Sequence, residues 1–196
     1  HKGWWFIEHG NKRGLSSGVA QLLSPYFMAA YRRAGEMYET LSHASDQGRC
    51  LCLKLDFLNK DTGKIRAALS SSMYCPDRNE PEKRALVLEM FEQINALAEH
   101  WKTPIKFIAA DMNVKVEAVP GGQQTSVMGP HALSYTKGSD KEGKLLIKAL
   151  DKAGLAVISS FYPHPSDVGK PNGATFRSKR GKTVTWTCPD MIISDK

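Results

Sequence analysis

Asp111 and Asn113 are the residues whose types and spacing best fit catalysis in this sequence. They stand two positions apart at the end of the apolar run 105–110. Side chains alternate along a strand with a period of two, so a carboxylate and a carboxamide at this spacing point to one face. The carboxylate could orient or deprotonate an attacking water, and the amide could donate a hydrogen bond to a phosphate oxygen that gains charge. The alternative is a turn, because Asp and Asn are common where strands end.

Two further polar side chains stand at the ends of apolar runs. Tyr74 lies where a run meets Pro76, and its phenol could donate a hydrogen bond to a substrate phosphate. Packing, with the hydroxyl at the rim, is the commoner role of such a tyrosine. Asp190 precedes the apolar run 191–193, where it could serve a site or accept hydrogen bonds from backbone amides in a loop. Both are candidates for the same site.

A basic turn at 177–182 is the strongest local sign of a polyanionic partner. It contains Arg177, Lys179 and Arg180, which could contact a phosphate backbone in a groove or simply be solvated charge. The whole chain carries 27 Lys and Arg against 20 Asp and Glu, a net charge of +7. Cations that neutralise phosphates release condensed counterions, so this balance is typical of nucleic-acid binding without proving it.

Several classes of protein are excluded or disfavoured by missing patterns. No apolar run approaches the roughly 18 residues of a membrane span, and no signal peptide opens the chain, which predicts an intracellular protein with the nucleus as one option. Neither a glycine-rich dinucleotide motif nor a phosphate-loop lysine motif occurs. The four cysteines lack zinc-ligand spacing and are predicted to be reduced and structural; they are Cys50, Cys52, Cys75 and Cys188.

The apolar pattern predicts an α/β fold. Strands are expected at 4–8, 18–23, 50–57, 64–73, 105–110, 155–158, 173–178, 183–187 and 190–194, with a hairpin turn at 59–63. Capping-box starts predict one helix from Asn79 to Trp101 and another from Ser139 to Gly154. The run 105–110 is expected to be a buried central strand, and 114–141 a loop. We expect one domain over 1–196, with mixed sheets inside and helices outside.

The apolar runs nearest the two ends suggest that the chain is a piece of a longer domain. Residues 4–7 form a strand pattern almost at the start, and 191–193 begin another just before the end. A core strand needs a neighbour and a connection. We therefore expect the domain to be incomplete at both ends.

The candidate residues occur in an order that resembles the endonuclease/exonuclease/phosphatase superfamily, which includes deoxyribonuclease I. Residues 17–24 are similar to the family's early G-V-A strand and 73–76 to its Y-x-P motif. Residues 110–113 are similar to G-D-x-N, with Ala110 in place of the usual Gly, and 189–192 to the late I-D-x-I. The spacing of the two helices, and Thr175 in 174–176, resembles the endonuclease domain of non-LTR retrotransposons most.

The resemblance implies a four-layer α/β/β/α sandwich and hydrolysis of a phosphodiester in DNA with Mg²⁺, or Mn²⁺ in its place. It implies that Asp111 acts on the attacking water, Asn113 and Tyr74 on the phosphate, and Thr175 near the bound strand. It also implies that Asp190 orients a histidine. Magnesium suits such chemistry because it binds carboxylate and phosphate oxygens while keeping waters.

Three residues of the family pattern have no counterpart in the sequence. The family's first-strand Asn and its main metal-binding Glu precede the G-V-A strand by several tens of residues, and Glu8 is too close to Gly18 to be that Glu. The closing S-D-H motif should follow Asp190 by about two dozen residues, whereas 194–196 comes too early and lacks the His. The metal ligands are therefore unknown, and this chain is expected to be catalytically incomplete.

Two other functions are compatible with the same sequence. Because one fold hosts many substrates, the enzyme could be a phosphatase that acts on a small or lipid phosphate ester. The domain could also be a degenerate relative that binds nucleic acid or a protein without catalysis.

Overall fold

The computed structural model describes residues 3–10, 18–41, 49–75, 82–113, 125–129, 141–162, 176–180, 183–187 and 190–196. The strands in these ranges are β1 Trp5–Gly10, β2 Gly18–Leu23, β3 Tyr38–Leu41, β4 Cys50–Leu58, β5 Ile65–Tyr74, β6 Ile105–Asp111, β7 Leu155–Val157, β8 Phe176–Arg180, β9 Thr183–Thr187 and β10 Asp190–Asp195. The helices are α1 Pro25–Arg33, α2 Glu82–His100 and α3 Lys141–Lys152, and a short 3₁₀ helix covers Ile158–Ser160. None of these helices is long and apolar enough to span a bilayer.

The described strands form one six-stranded sheet, in the order β3-β4-β5-β6-β10-β7, and two antiparallel pairs, β1-β2 and β8-β9. This arrangement confirms the predicted α/β class with mixed sheets and helices. Backbone contacts divide the chain into two compact units. The first comprises 1–74 and 89–108, and the second comprises 75–88 and 109–196. The single domain over 1–196 stays a prediction.

The hairpin of β4 and β5 confirms the predicted turn at 59–63. Asn59 fixes it, because its Oδ1 accepts hydrogen bonds from the backbone N–H of Asp61 at 2.9 Å and of Thr62 at 3.0 Å. The backbone N–H of Asn59 also donates to Lys64 O at 2.9 Å. Gly63 has a φ of +66°, a conformation that suits glycine. The turn thereby sets the register in which Leu58 faces Ile65.

One face of β4 forms the core of the first unit. Leu51, Leu53 and Leu55 alternate along the strand and are essentially fully buried. They pack against side chains of β2 and α1, namely Val19, Leu23, Met28, Ala30 and Tyr31. A buried Leu contributes about 1.5–3 kcal/mol relative to an exposed one, so this face stabilises the unit strongly.

Gln21 joins β2 to the β4-β5 hairpin through a buried hydrogen-bond network. Its Nε2 donates to Leu51 O at 3.0 Å and to Ser70 O at 3.1 Å, and its Oε1 accepts from Ser70 Oγ at 2.7 Å. Gln21 is only 8% exposed. If its side chain were removed, water could not readily replace the hydrogen bonds that it makes with Leu51 and Ser70. The amide therefore fixes the position of β2 on the hairpin.

Replacing Gln21 by Ala is expected to lower the free energy of unfolding by about 1–3 kcal/mol, because buried acceptors lose their donor. Urea denaturation followed by circular dichroism measures this loss. Gln93→Ala is the matched control, since the bond that the described residues show for this glutamine lies within α2, from its Nε2 to Glu89 Oε1 at 3.0 Å. If both variants lose the same free energy of unfolding, the buried network of Gln21 contributes no more to stability than a bond within one helix.

Two elements of the first unit were not predicted from the sequence. The segment after β2 forms α1, where an uninterrupted series of strands was expected, and β3 pairs antiparallel with β4. Ser24 caps α1, since its Oγ accepts a hydrogen bond from Phe27 N at 3.4 Å, and Pro25 is the first helical residue. Both residue types favour a helix start.

The predicted buried strand at 105–110 is confirmed as β6, which lies inside the six-stranded sheet, but it is not buried on both faces. Ile108 is fully buried, whereas Phe107 is 49% exposed. The burial of an apolar run was therefore overpredicted, because a run of this kind does not reveal whether both faces of its sheet are covered.

The second unit confirms the helix and strands predicted near the end of the chain. α3 buries Leu146, Ala149 and Leu150 at helical spacing and is followed by Gly154 with a φ of +70°. β7 pairs antiparallel with β10, so that Val157 faces Ile193. The helix predicted from Asn79 is confirmed as α2, while its predicted cap lies outside the described residues.

Part of the predicted loop at 114–141 is packed structure. Val127, Met128 and Gly129 are buried, and Met128 forms a parallel bridge with Val157. The Val157 N–H donates to Val127 O at 2.9 Å, and the Gly129 N–H donates to Ser160 Oγ at 2.7 Å. This short segment adds a partner along β7 that the sequence pattern did not reveal.

Candidate active site

Asp111 and Asn113 are brought together by a turn at the end of β6. Asp111 is the last residue of the strand, and its Oδ1 accepts a hydrogen bond from the Asn113 backbone N–H at 3.1 Å. Asn113 has a φ of +47°, a left-handed conformation that asparagine tolerates better than most residues. Both residues are half-buried. The two residues are therefore linked by this hydrogen bond, and not by the alternation of a strand, because Asn113 lies beyond the end of β6. That their side chains form one catalytic site stays a prediction.

The turn is fixed to the backbone of Cys75. The Cys75 N–H donates to Asp111 O at 2.8 Å, and Asn113 Nδ2 donates to Cys75 O at 2.7 Å. A carboxamide carries two N–H donors, so this bond occupies one of the two that could serve a phosphate. The geometry holds the Asn113 side chain in one orientation, which costs entropy on folding rather than at substrate binding.

Cys75 and Met112 anchor the same turn in the core. Their sulfur atoms are 3.5 Å apart, and both residues are 1% exposed. The apolar side chain of Met112 therefore points inward, between two polar residues that remain half-buried. The structural role predicted for this cysteine agrees with the contact.

Tyr74, the last residue of β5, belongs to the first unit. Its N–H donates to Arg49 O at 2.8 Å, and the guanidinium carbon of Arg49 lies 5.0 Å from the centre of its ring. The ring also packs against the β4 core. Cation–π contact with a buried arginine holds the ring in place, since Arg49 is only 8% exposed.

Arg49 is a candidate functional residue that the sequence prediction missed. A guanidinium that lies over the ring of a candidate phosphate-binding phenol could fix the position of that phenol. In the sequence, Arg49 is marked only by its position as a charged residue directly before the apolar run of β4. No motif includes it.

For the remaining predicted site residues, the structure describes either the backbone alone or nothing. Asp190 is the first residue of β10, and Arg177, Lys179 and Arg180 belong to β8. Thr175 lies outside the described residues. The structure thus brings Asp111 and Asn113 together, and the convergence of Tyr74 and Asp190 on the same phosphate stays a prediction.

Asp111 and Asn113 offer oxygen donors of the kind that a hard cation prefers. A carboxylate oxygen and a carboxamide oxygen suit Mg²⁺, which keeps several waters in its shell. Within the described part of the chain, no three His, Cys, Asp or Glu side chains gather closely enough to hold a metal. The donor types of these two residues fit magnesium, and magnesium binding itself stays a prediction.

Comparison with known proteins gives a structural likeness without a sequence match. No family model and no curated protein matches the chain. An AP endonuclease from Archaeoglobus fulgidus is similar with a TM-score of 0.51 and 12% identity, over 98% of this chain and 67% of that one. TDP2 from C. elegans matches at 0.43 and 14%, over 98% and 48%. A mannosyl-6-phosphatase from Bacteroides thetaiotaomicron matches at 0.41 and 13%, over 100% and 77%.

The likeness to the AP endonuclease supports the fold expected from the motif order. The sequence identity of 12% is too low to assign the substrate of that enzyme to this chain. The structural likeness agrees with the mixed α/β arrangement of sheets and helices described above. The chain has the fold of the endonuclease/exonuclease/phosphatase superfamily, the deoxyribonuclease I-like fold.

Proposed function

We propose that the protein carrying this chain is a Mg²⁺-dependent endonuclease that hydrolyses phosphodiester bonds in DNA. The observation that carries the proposal is the turn at Asp111 and Asn113, fixed on Cys75 in a fold shared with an AP endonuclease. The net charge of +7 supports a polyanionic substrate. The similarity of the motif order to the retrotransposon branch makes an element of that kind, acting on nuclear DNA, the proposed context.

In this mechanism each side chain has one task. The Asp111 carboxylate orients the attacking water and takes its proton. The Asn113 amide and the Tyr74 phenol donate hydrogen bonds to phosphate oxygens as negative charge grows on them. Asp190 orients the histidine that the family resemblance implies. Bound magnesium supplies charge stabilisation at the phosphate.

The positions of Asn113 and Tyr74 suit this task because neither side chain has to be ordered by the substrate. Asn113 is held by Cys75 O, and the Tyr74 ring by Arg49. Donors fixed before the reaction stabilise a developing charge without paying for reorientation.

A plasmid-nicking assay tests the proposal. Supercoiled plasmid is incubated with this chain and with a longer protein that carries it, in Mg²⁺ or in EDTA. The longer protein is expected to nick in Mg²⁺ alone, and this chain to nick weakly or not at all. Robust nicking by this chain would overturn the predicted incompleteness, and no nicking by the longer protein would overturn the proposed endonuclease.

Salt dependence separates DNA from a small phosphate ester as the substrate. Each phosphate that a protein neutralises on duplex DNA contributes about −0.9 to the slope of log K against log salt. We expect a steep slope for binding of the longer protein to a DNA duplex. A flat slope together with hydrolysis of a sugar or lipid phosphate would favour the phosphatase alternative.

A further inference from the structure

An exposed group of aromatic rings with two arginines lies on the first unit, where α1 crosses the end of β4. We call it the α1 aromatic surface and define it by Tyr26, Phe27, Arg33, Phe57 and Arg66. Tyr26 and Phe57 are stacked, with ring centres 5.6 Å apart and planes at 27°. The Phe27 ring is nearly perpendicular to both, with its centre 6.0 Å from that of Tyr26 and 5.4 Å from that of Phe57.

Tyr26 and Phe27 stay open to solvent despite these contacts. Tyr26 is 60% exposed and Phe27 42%. Tyr26 therefore keeps much of its ring surface in contact with solvent while it stacks on Phe57. Single exposed aromatic residues are ordinary, but three rings in mutual contact form a continuous apolar patch of the kind that marks binding sites.

The two arginines give this patch a positive rim. Arg33 follows Tyr26 by seven positions, which places both on one face of α1, and its Nη1 donates to Asp56 O at 2.6 Å. Arg66 faces Phe57 directly in the β4-β5 pairing, so both side chains lie on the same side of the sheet. Within the described residues, no carboxylate forms an ion pair with either arginine. In the part of the chain that the structure describes, their positive charges are thus not neutralised by an ion pair.

A solvent-exposed aromatic ring beside two guanidinium groups matches the chemistry of a single-stranded nucleic acid. Every base has a π-face that can stack on a ring, and its flanking phosphates can pair with arginine. A protein partner or an acyl chain would use the apolar rings without needing the positive rim. Arg32 is not counted, since it already contacts the Trp5 ring at 5.2 Å and Glu36 at 3.8 Å.

We propose that the α1 aromatic surface binds single-stranded nucleic acid, with an unpaired base stacked on Tyr26 and its phosphates held by Arg33 and Arg66. The inference takes nucleic acid as the partner from the proposed function and adds a base-stacking contact to it. It requires no metal and no hydrolysis. Failure of one proposal therefore does not entail failure of the other.

Fluorescence anisotropy with a labelled oligothymidylate in EDTA tests the contact. Tyr26→Ala is expected to weaken binding about 5- to 150-fold, the range that corresponds to loss of one stacked base. Tyr26→Phe should bind like the unmodified protein, because the ring is kept. Phe107→Ala is the matched control, an aromatic residue 49% exposed on β6, and should have no effect.

An abasic oligonucleotide and a salt series separate stacking from charge. Abasic DNA keeps the phosphates, so its weaker binding should not respond to Tyr26→Ala. Replacing Arg33 or Arg66 by Gln should reduce the salt slope by about 0.7 each. The inference is wrong if Tyr26→Ala binds oligothymidylate as Phe107→Ala does, or if it loses as much affinity for abasic DNA. It is also wrong if Tyr26→Ala abolishes binding to phosphatidylserine vesicles and leaves DNA affinity unchanged.

Discussion

Replacing Asp111 by Asn is expected to lower the rate of phosphodiester hydrolysis by about 10²- to 10⁴-fold in the longer protein that carries this domain, the contribution typical of a general base. Asn keeps an oxygen that can accept the hydrogen bond from the Asn113 N–H, which is 3.1 Å long in the unmodified chain. The substitution therefore removes the charge and the proton acceptor while it preserves the turn. Initial rates of plasmid nicking at saturating Mg²⁺ measure the loss.

The matched control is Asp61→Asn, the same chemical change at an exposed position in the β4-β5 turn. It should leave the nicking rate unchanged. If Asp111→Asn also turns over normally, Asp111 has no part in the mechanism. If the unmodified protein shows no turnover while it still binds DNA, the degenerate binding domain is the better description.

Asn113 is a poorer first target than Asp111, because its substitution would change structure and chemistry together. Its side chain donates to Cys75 O at 2.7 Å, and its backbone has a φ of +47°. Ala at this position would lose the bond and be strained in the left-handed region. A reduced rate for Asn113→Ala would not separate a catalytic amide from a structural one.

The apolar pattern predicted most of the described strands and the helices α2 and α3, because those signals are local. A polar residue at the end of an apolar run, and a cap followed by helical spacing, can be read from neighbours in the chain. The catalytic roles of Asp111 and Asn113, which the residue types suggest and the resemblance to a known family implies, stay predictions. The structure adds the contact with Cys75, which joins residues 38 positions apart.

The missed features depend on contacts that the sequence does not show. α1 contains three aromatic residues in nine, which weakened its helical signal, although Ser24 and Pro25 mark its start. Arg49 is a candidate because its guanidinium lies over the ring of Tyr74, which is 25 positions away in the sequence. The exposure of Phe107 likewise depends on what covers that face of the sheet. Periodicity gives an element and its faces, but not the partner of each face.

The packing of Gly129 against Ser160 and Phe161 is another contact that periodicity does not show. Replacing Gly129 by Ala is expected to lower the free energy of unfolding by about 3 kcal/mol or more. A Cβ at this position would lie 2.5 Å from Phe161 Cα and 2.6 Å from the Ser160 carbonyl carbon, and it would also collide with Ser160 O. All three are backbone atoms, so no side-chain rotation can relieve the contact. The Gly129 N–H would have to move away from Ser160 Oγ, and the bridge to β7 would weaken.

Gly154→Ala is the control. It separates a collision of the added Cβ with neighbouring atoms from the cost of replacing a glycine whose backbone conformation other residues rarely adopt. Gly154 has a φ of +70°, but an added Cβ would meet nothing within 4 Å, so Ala there should cost about 1–2 kcal/mol. Urea denaturation of both variants gives the comparison. Equal losses would mean that the segment 125–129 moves aside at little cost. A larger loss for Gly129→Ala would establish that this segment is packed on β7, which pairs with the strand that begins at Asp190.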